Sequence, residues 1–248
     1  MTSINVRGLT LDYPVYSVQA KSLRSAVMAA AVGGKLLKTN SDMTVVRALS
    51  NVQFSLQQGD RLGIIGHNGS GKTSLLKVLA GVYEPTQGFV DIDGRVSSML
   101  SMSIGVDHEA TGLQNIRTIL MMQSRSRKDI DKKLPQVVEF SDLGHFVHMP
   151  FKTYSAGMMA RLIFAAGTSL DAEILIMDEW LGAGDASFRE KAAQRMQSVV
   201  SNAGIVVLAT HDPNLVKRVC NKVLVMEGGR AVFLGSLEEW QAQSAAAA

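Results

Sequence analysis

A short glycine-rich segment after an apolar run has the composition of a phosphate-binding loop. Its members, with the serine that follows them, are Gly66, His67, Asn68, Gly69, Ser70, Gly71, Lys72, Thr73 and Ser74. The glycines let successive backbone N–H groups and a helix N-terminus face phosphate oxygens, the lysine neutralises phosphate charge, and the threonine hydroxyl can ligate Mg²⁺. We expect this phosphate loop, residues 66–73, to bind a nucleoside triphosphate; the alternative is a glycine-rich turn without a ligand.

Two adjacent carboxylates follow a second apolar run. Residues 174–177 predict a buried strand, after which come Asp178 and Glu179. In open α/β sheets, ligands bind at the carboxyl ends of the strands. We therefore expect Asp178 to hold Mg²⁺ and Glu179 to be the general base that polarises the attacking water. The alternative for Glu179 is that it caps a following helix.

A histidine follows a third apolar run, Ile205–Ala209, in the order Thr210, His211, Asp212, Pro213. A lone histidine is often an ordinary surface or core group. This one ends a predicted strand of a sheet whose other strand ends carry phosphate chemistry. We expect His211 to contact the γ-phosphate.

The elements that must position these residues alternate between strand and helix. The apolar segment Arg61–Ile65 predicts a buried strand before the phosphate loop, and the alternation that continues to the C-terminus predicts a mostly parallel sheet covered by helices. Near the N-terminus, residues 4–11 predict a strand that ends at Tyr13-Pro14, and residues 45–56 predict another, joined to the next strand by a hairpin turn at 57–60. Residues 111–169 are nearly all helical in pattern, which predicts a helical subdomain inserted into an α/β core.

An amphipathic helix is predicted within residues 19–34. Leu23, Val27 and Ala31 recur at helical spacing beside Lys21 and Arg24. Such a helix can pack on its own domain, or it can dock on a partner or a membrane surface, and the sequence leaves both open.

Composition limits the class of protein. The 248 residues are 46% hydrophobic, which is enough to bury a core without disulfides, and Cys220 is the only cysteine. We expect Cys220 to be a small buried residue. No apolar stretch has membrane-spanning length and no secretory signal is evident, so we expect a cytoplasmic protein. The net charge of +3 comes from interspersed charges, so nucleic acid is not an expected partner.

The order of these motifs identifies a family once one more segment is added. Tyr154-Ser155-Ala156-Gly157-Met158 lies between the phosphate loop and the carboxylates, and Ala183-Gly184-Asp185 follows them. A Ser-x-Gly before a helix is by itself an ordinary N-cap. In this order, ending at His211, the chain resembles the ATP-binding domain of ABC transporters over essentially its whole length, 1–248.

The resemblance implies a P-loop NTPase core, with an antiparallel β portion near the N-terminus and an inserted helical subdomain. It implies a homodimer that sandwiches two ATP molecules, in which the signature segment, Ser155, Ala156 and Gly157, caps the ATP bound to the partner's phosphate loop. Asp185 would lie in the loop that links the two sites. Tyr13 matches the aromatic residue that stacks on adenine, and Tyr16 is a second candidate.

Departures from the common ABC-transporter motifs indicate which subgroup of the family the chain resembles. The signature segment lacks a second glycine and a glutamine, and Ser101 or Met102 stands where a glutamine is expected before the helical subdomain. With the early inserted helix, these features resemble bacterial polysaccharide exporters, O-antigen exporters most closely and capsule and teichoic-acid exporters next. The implied substrate is a lipid-linked polysaccharide. The implied partner is a separate membrane-spanning permease, in two copies, at the cytoplasmic face of the inner membrane. Residues 99–106 could line the groove for that permease, or their methionines could be core filler.

Three other classes remain as alternatives. A soluble ABC ATPase acting on DNA or ribosomes would show coiled-coil insertions, zinc cysteines or fused ATPase domains, which this sequence does not contain. A phosphate-loop kinase or GTPase would lack the signature segment. An importer, or a lipoprotein or peptide exporter, would share all the ATPase motifs.

Overall fold

The computed structural model describes residues 2–15, 35–38, 44–100, 105–122, 126–169, 172–179 and 186–246. The chain forms two compact units. The first comprises Met1–Leu100, Glu173–Trp180 and Gly204–Ala248, and the second comprises Ser101–Ala172 and Leu181–Ala203. Several residues of interest lie outside the described ranges, namely the predicted helix at 19–34, Tyr16, Ser101, Met102 and Asp185.

The first unit begins with a four-stranded antiparallel sheet. The elements of the first unit up to residue 100 are β1 (Ser3–Val15), β2 (Lys35–Lys38), β3 (Thr44–Gln57), β4 (Arg61–Ile65), α1 (Lys72–Leu79), β5 (Gln87–Asp93) and β6 (Val96–Met99). The sheet has the order β2-β3-β1-β5. Ile4 lies opposite Leu56, and both side chains are fully buried. The alternating apolar residues of β1 therefore face the core, as their period of two requires.

The first strand extends further than its sequence predicts. We expected it to end at Tyr13-Pro14, but β1 continues to Val15, and Pro14 pairs with Val45 of β3. Pairing of β1 with β5 ends at Thr10. Beyond Thr10, β3 is the strand's one paired neighbour among the described residues, and a proline without an N–H is tolerated where a strand pairs on one side.

The second unit is helical in its described part. It contains α2 (Gly112–Met122), α3 (Arg127–Ser141), two 3₁₀ turns (Gly144–His148 and Phe151–Thr153), α4 (Ala156–Gly167) and α5 (Ala186–Asn202). Residues 111–169 lie in this unit. Its core is formed by buried side chains from several of these elements, among them Ile116, Leu120, Leu134, Phe151 and Leu162.

The first unit continues with a six-stranded sheet. Its later elements are β7 (Ile174–Asp178), β8 (Ile205–Ala209), α6 (Pro213–Val219), β9 (Lys222–Glu227), β10 (Arg230–Ser236) and α7 (Leu237–Ala246). The order is β10-β9-β4-β8-β7-β6, and every pairing is parallel except that of β10 with β9. All five residues of β8 are buried, as are the first four of β7. The predicted α/β fold class, with a mostly parallel sheet and an antiparallel portion near the N-terminus, is confirmed.

The predicted hairpin at 57–60 is wrong. The turn itself exists, because the N–H of Asp60 donates to the carbonyl oxygen of Gln57 (2.9 Å) and Gly59 has φ 94°. However, β3 belongs to the four-stranded sheet and β4 to the six-stranded sheet, so the turn connects two sheets. The three central residues of β4 are buried, and a strand that is apolar on both faces belongs inside a parallel sheet.

Two further expectations concern single features. Cys220 is buried, as predicted, and burial raises the pKa of its thiol to about 12. Within the described ranges, none of the helices combines the length and the apolar character needed to span a membrane.

Candidate active site

The carboxyl ends of three adjacent strands form one edge of the six-stranded sheet. Ala209 of β8 lies opposite Ile64 of β4 on one side and opposite Asp178 of β7 on the other. The segments that follow these strands are the phosphate loop, Glu179, and Thr210-His211. Parallel pairing in this register therefore brings together the three motifs that are distant in the sequence, as the strand-end rule predicts.

A cavity of about 450 Å³ opens at this edge. Its volume is in the range of small-molecule sites. It is lined by Tyr13, Val46, Ala48, Asn68, Gly69, Gly71, Lys72, Thr73, Ser74, Leu100, Asp178, Glu179, Thr210 and His211. All of these residues belong to the first unit.

The phosphate loop needs glycine where it passes closest to other backbone. Gly71 is the N-cap of α1 with φ 103°, a left-handed conformation that side chains rarely adopt, and a Cβ there would lie 2.9 Å from the carbonyl oxygen of Ala48. At Gly66 a Cβ would collide with the carbonyl oxygen of Met226. The loop therefore wraps tightly onto neighbouring strands and leads directly into the N-terminus of α1, where backbone N–H groups have no intrahelical acceptor.

The ammonium group of Lys72 is held within the loop. Its Nζ donates to the carbonyl oxygens of Gly66 (2.7 Å) and His67 (3.1 Å). These bonds place a positive charge at the mouth of the loop, where phosphate oxygens would compete with the carbonyls as acceptors.

Thr73 and Asp178 form a pair of oxygen ligands. The hydroxyl of Thr73 donates to Oδ2 of Asp178 at 2.8 Å, although 105 residues separate them in the sequence. Mg²⁺ binds a small number of protein oxygens together with phosphates and water. One hydroxyl and one carboxylate at the end of the phosphate loop fit this ion.

Glu179 and His211 contact each other across the same edge. The imidazole Nδ1 lies 2.8 Å from Oε1 of Glu179, and both side chains are more than half exposed. Because a carboxylate only accepts hydrogen bonds, Nδ1 is the donor in this pair.

The backbone of Glu179 has an unusual conformation. Its φ is 68°, one of three positive values among the described non-glycine residues. The N–H of Glu179 still donates to the carbonyl oxygen of Ala209 at 2.7 Å, so the ladder between β7 and β8 holds the residue in place. Left-handed conformations of non-glycine residues cost about 1–3 kcal/mol and concentrate at functional sites.

Tyr13 forms one wall of the cavity. Its phenol donates to Oγ of Ser74 (3.2 Å), and its ring meets Tyr83 edge-on with the centroids 5.3 Å apart. Burial raises the pKa of the Tyr13 phenol, and the bond to Ser74 partly opposes that shift. The ring is therefore held neutral and oriented beside the phosphate loop.

Three predicted phosphate-loop residues do not line the cavity: Gly66, His67 and Ser70. Ser70 is fully buried, and its Oγ has no hydrogen-bond partner in the described part of the chain. The backbone of Ser70 does form a hydrogen bond, because its carbonyl oxygen accepts from the N–H of Gly229 at 3.0 Å.

Four residues that line the cavity were not predicted from the sequence: Val46, Ala48, Leu100 and Thr210. Val46 and Ala48 are apolar members of β3, and Val46 lies opposite Tyr13. Only the strand register brings them to the cavity, so no local pattern marks them. Thr210 could have been found, because it follows β8 directly and precedes His211.

The signature segment lies in the second unit, at the start of α4. Ser155 is the N-cap of this helix, and its Oγ accepts from the N–H of Met158 at 3.2 Å. Ser155 and Ala156 are exposed. The arrangement is an open helix N-terminus, which favours anions.

Comparison with known proteins agrees with this geometry. The sequence model of the ABC transporter family matches residues 49–182. The O-antigen export system ATP-binding protein RfbE of Yersinia enterocolitica is 39% identical over 229 residues, which covers 92% of this chain and 96% of that protein. The teichoic acids export ATP-binding protein TagH of Staphylococcus haemolyticus is 32% identical, covering 96% of this chain and 86% of that protein.

Solved structures support the fold. A structure described as the ATP binding subunit of an ABC transporter aligns with a TM-score of 0.68 at 20% identity, covering 98% of this chain and 93% of that one. The ATP-binding cassette MJ0796, in a dimeric post-hydrolysis state bound to ADP and Pi, aligns with a TM-score of 0.66 at 20% identity, covering 94% and 98%. The chain belongs to the ABC transporter family, as one of its ATP-binding and ATP-hydrolysing subunits.

Proposed function

We propose that this chain drives an exporter that moves lipid-linked O-antigen polysaccharide across the inner membrane. The observation that carries the proposal is the 39% identity to an O-antigen export ATP-binding protein over 92% of this chain and 96% of that protein. The protein would bind peripherally at the cytoplasmic face of the inner membrane, attached to a separate permease in two copies.

ATP would bind with its phosphates against the phosphate loop and its base against Tyr13. Lys72 would exchange its carbonyl acceptors, at Gly66 and His67, for phosphate oxygens, and the N–H groups at the start of α1 would bind the phosphates between them. The ring of Tyr13, fixed by Ser74 and Tyr83, offers an apolar surface for adenine.

Thr73 and Asp178 would hold Mg²⁺, directly or through water. A bound Mg²⁺ would neutralise charge on the triphosphate. The hydrogen bond from the Thr73 hydroxyl to Asp178 supports this pairing, because it holds the two oxygens 2.8 Å apart.

Glu179 would accept a proton from the attacking water while the water oxygen bonds to the γ-phosphorus. The bond between that phosphorus and the β–γ bridging oxygen breaks, and ADP leaves with the bridging oxygen. His211 orients Glu179 through Nδ1 and would contact the γ-phosphate from its other nitrogen. Both roles depend on the adjacency of β7 and β8.

The active assembly would be a homodimer that sandwiches two ATP molecules. Ser155, Ala156 and Gly157 of one protomer would cap the γ-phosphate bound by the other, and Asp185 would link the two sites. Gly157 supports this proposal, because among the described residues a Cβ at this position would meet Ser155 Oγ alone, at 3.9 Å. Packing against the described part of the chain therefore gives no reason for a glycine, whereas the approach of an anion to the helix N-terminus does.

A teichoic-acid or capsule exporter is the second candidate. The similarity to the teichoic acids export protein, at 32% identity over nearly the whole chain, supports it. The two candidates share the ATPase and differ in the polymer that the permease carries.

Copurification tests the proposal. The tagged chain is expressed with the membrane protein encoded beside it, solubilised in mild detergent and isolated. Recovery of a stable complex whose ATPase activity responds to lipid-linked polysaccharide would support the exporter. Recovery of the chain without any membrane protein, in a host whose surface polysaccharide does not change when the gene is deleted, would refute it.

A further inference from the structure

Tyr154 lies immediately before Ser155, the first residue of the signature segment. It is buried, and its phenol donates to the carbonyl oxygen of Phe146 at 2.7 Å. Burial also raises the pKa of this phenol, so it remains a neutral donor. The residue therefore anchors, from inside the second unit, a segment whose next residue, Ser155, is exposed.

The space around the phenol is closely fitted. A Cβ at Gly112, the first residue of α2, would collide with the Tyr154 hydroxyl and would lie 2.8 Å from Leu162 Cδ1. The Tyr154 ring also packs against Phe151, with centroids 5.1 Å apart. Gly112 is thus required by the tyrosine, because any larger side chain would displace the hydroxyl from Phe146.

The chain before Tyr154 is fixed to a second loop by backbone hydrogen bonds. The N–H of Phe151 donates to Ala110 O and that of Lys152 donates to His108 O, both at 2.9 Å. The buried Asn115 holds that loop in turn, since its amide group both accepts from Asp107 N and donates to Asp107 O at 2.8 Å. Hydrogen bonds therefore tie the chain just before Tyr154 to the loop at residues 107–110.

By contrast, few contacts of its own fix Ser155. Its Oγ accepts from Met158 N and its carbonyl oxygen accepts from Met159 N, and both bonds are internal to α4. Buried side chains such as Leu162 and Phe164 hold the later turns of α4. At its N-terminal end, the bond from the Tyr154 hydroxyl to Phe146 O ties the chain that enters the helix to the 3₁₀ turn at Gly144–His148.

We propose that Tyr154 is a positioning residue that sets the N-terminus of α4, and with it Ser155 and Gly157, for contact with the partner protomer's ATP. This inference rests on the proposed ATP sandwich. Loss of the Tyr154 hydroxyl would leave the fold and the phosphate loop intact but would let the first turn of α4 shift. The signature segment would then bind the partner protomer's γ-phosphate less well.

The test compares two hydrogen-bond deletions that flank α4, one before its N-cap and one at its C-cap, and both are introduced into a Glu179→Gln background that should trap the ATP-bound dimer. Tyr154→Phe removes only the hydroxyl that binds Phe146. Thr168→Val is the matched control, because the buried Thr168 hydroxyl donates to Phe164 O at 2.7 Å at the opposite end of α4. Dimer dissociation constants with ATP are measured by analytical ultracentrifugation, and amide hydrogen exchange is measured at Met158 and Met159.

We expect Tyr154→Phe to weaken the ATP-dependent dimer about tenfold and to speed exchange at these two amides, with ATP binding by the monomer unchanged. A tenfold change corresponds to about 1.4 kcal/mol. Thr168→Val should leave the dimer and both amides as they are. Equal weakening by the two variants, or none by Tyr154→Phe, would overturn the positioning role. Absence of an ATP-dependent dimer in the Glu179→Gln parent would instead refute the proposed sandwich, and the positioning role with it.

Discussion

His211 Nδ1 lies 2.8 Å from Glu179 Oε1, and this contact joins the ends of two adjacent strands. The strained backbone of Glu179, with φ 68°, aims its side chain toward the histidine while its N–H stays in the sheet ladder. The carboxylate is therefore oriented from both its backbone and its side chain. A group that must polarise one water molecule in a fixed place benefits from such restraint.

Replacement of the proposed base should separate binding from hydrolysis. Glu179→Gln keeps Lys72 and Thr73, so we expect ATP affinity to stay within about threefold while the hydrolysis rate falls about 10²- to 10⁴-fold, the range attributed to general base catalysis. Equilibrium binding of a fluorescent ATP analogue and a phosphate-release assay measure the two quantities. Hydrolysis at the wild-type rate would show that another group is the base. Loss of nucleotide binding would show that Glu179 is structural.

The Thr73–Asp178 pair should set the requirement for Mg²⁺. Thr73→Val and Asp178→Asn each remove one oxygen ligand or its charge, so the Mg²⁺ concentration for half-maximal ATPase activity should rise about tenfold or more in both. Thr86→Val is the control, since its hydroxyl accepts from Asp12 N and neither residue lines the cavity. An unchanged Mg²⁺ dependence in both site variants would contradict the proposed ligand pair.

Two substitutions of Tyr13 distinguish its ring from its hydroxyl. Stacking of an aromatic side chain on a nucleic-acid base contributes about 1–3 kcal/mol per base. If adenine stacks on Tyr13 in the same way, Tyr13→Ala should weaken ATP binding about 5- to 100-fold. Tyr13→Phe keeps the ring and loses only the 3.2 Å bond to Ser74, so its affinity should stay within about threefold. Titration calorimetry measures both. Equal losses in the two variants would mean that the hydroxyl, rather than the ring, contacts the nucleotide.

Replacement of Gly157 and of Gly112 by alanine should have different effects on the stability of the protein. The new methyl group of Gly157→Ala meets no close atom of the described residues, so the free energy of unfolding should be unchanged or rise by up to about 1 kcal/mol, while the ATP-dependent dimer weakens. Gly112→Ala would displace the Tyr154 hydroxyl and should lower the melting temperature. Calorimetry and ultracentrifugation provide the two readouts. A Gly157→Ala protein that dimerises with ATP as the wild type does would argue against the sandwich.

Much of the fold and of the first-unit site can be predicted because the motifs are local. In the phosphate loop, Gly66 and Gly71 indicate where the backbone passes too close to its neighbours for a side chain. An apolar run such as Ile205–Ala209 indicates a buried parallel strand. Once three such strands are placed in one sheet, the residues after them must share an edge. This rule predicts that the phosphate loop and Asp178 lie at the same edge, and the structure adds the strand order β4-β8-β7 and the contact of Thr73 with Asp178.

Other features depend on tertiary pairing that no local pattern contains. Val46 enters the cavity only through its register with Tyr13, and the extension of β1 through Pro14 depends on the absence of β5 beside it. The turn at 57–60 has hairpin chemistry, yet the apolar character of β4 directs that strand into another sheet. The Tyr154–Phe146 bond is likewise invisible in the sequence, because it depends on the space left by Gly112.

If ATP hydrolysis at this site drives polysaccharide export, a chromosomal Glu179→Gln replacement should stop export in the living cell. Surface O-antigen is quantified by antibody labelling, and lipid-linked polymer is extracted from the inner membrane. We expect the Glu179→Gln strain to lose surface polymer and to accumulate lipid-linked polymer inside the cell, with the Glu179→Gln protein present at the wild-type level. Normal surface O-antigen in a strain that carries only the Glu179→Gln protein would contradict this role of ATP hydrolysis.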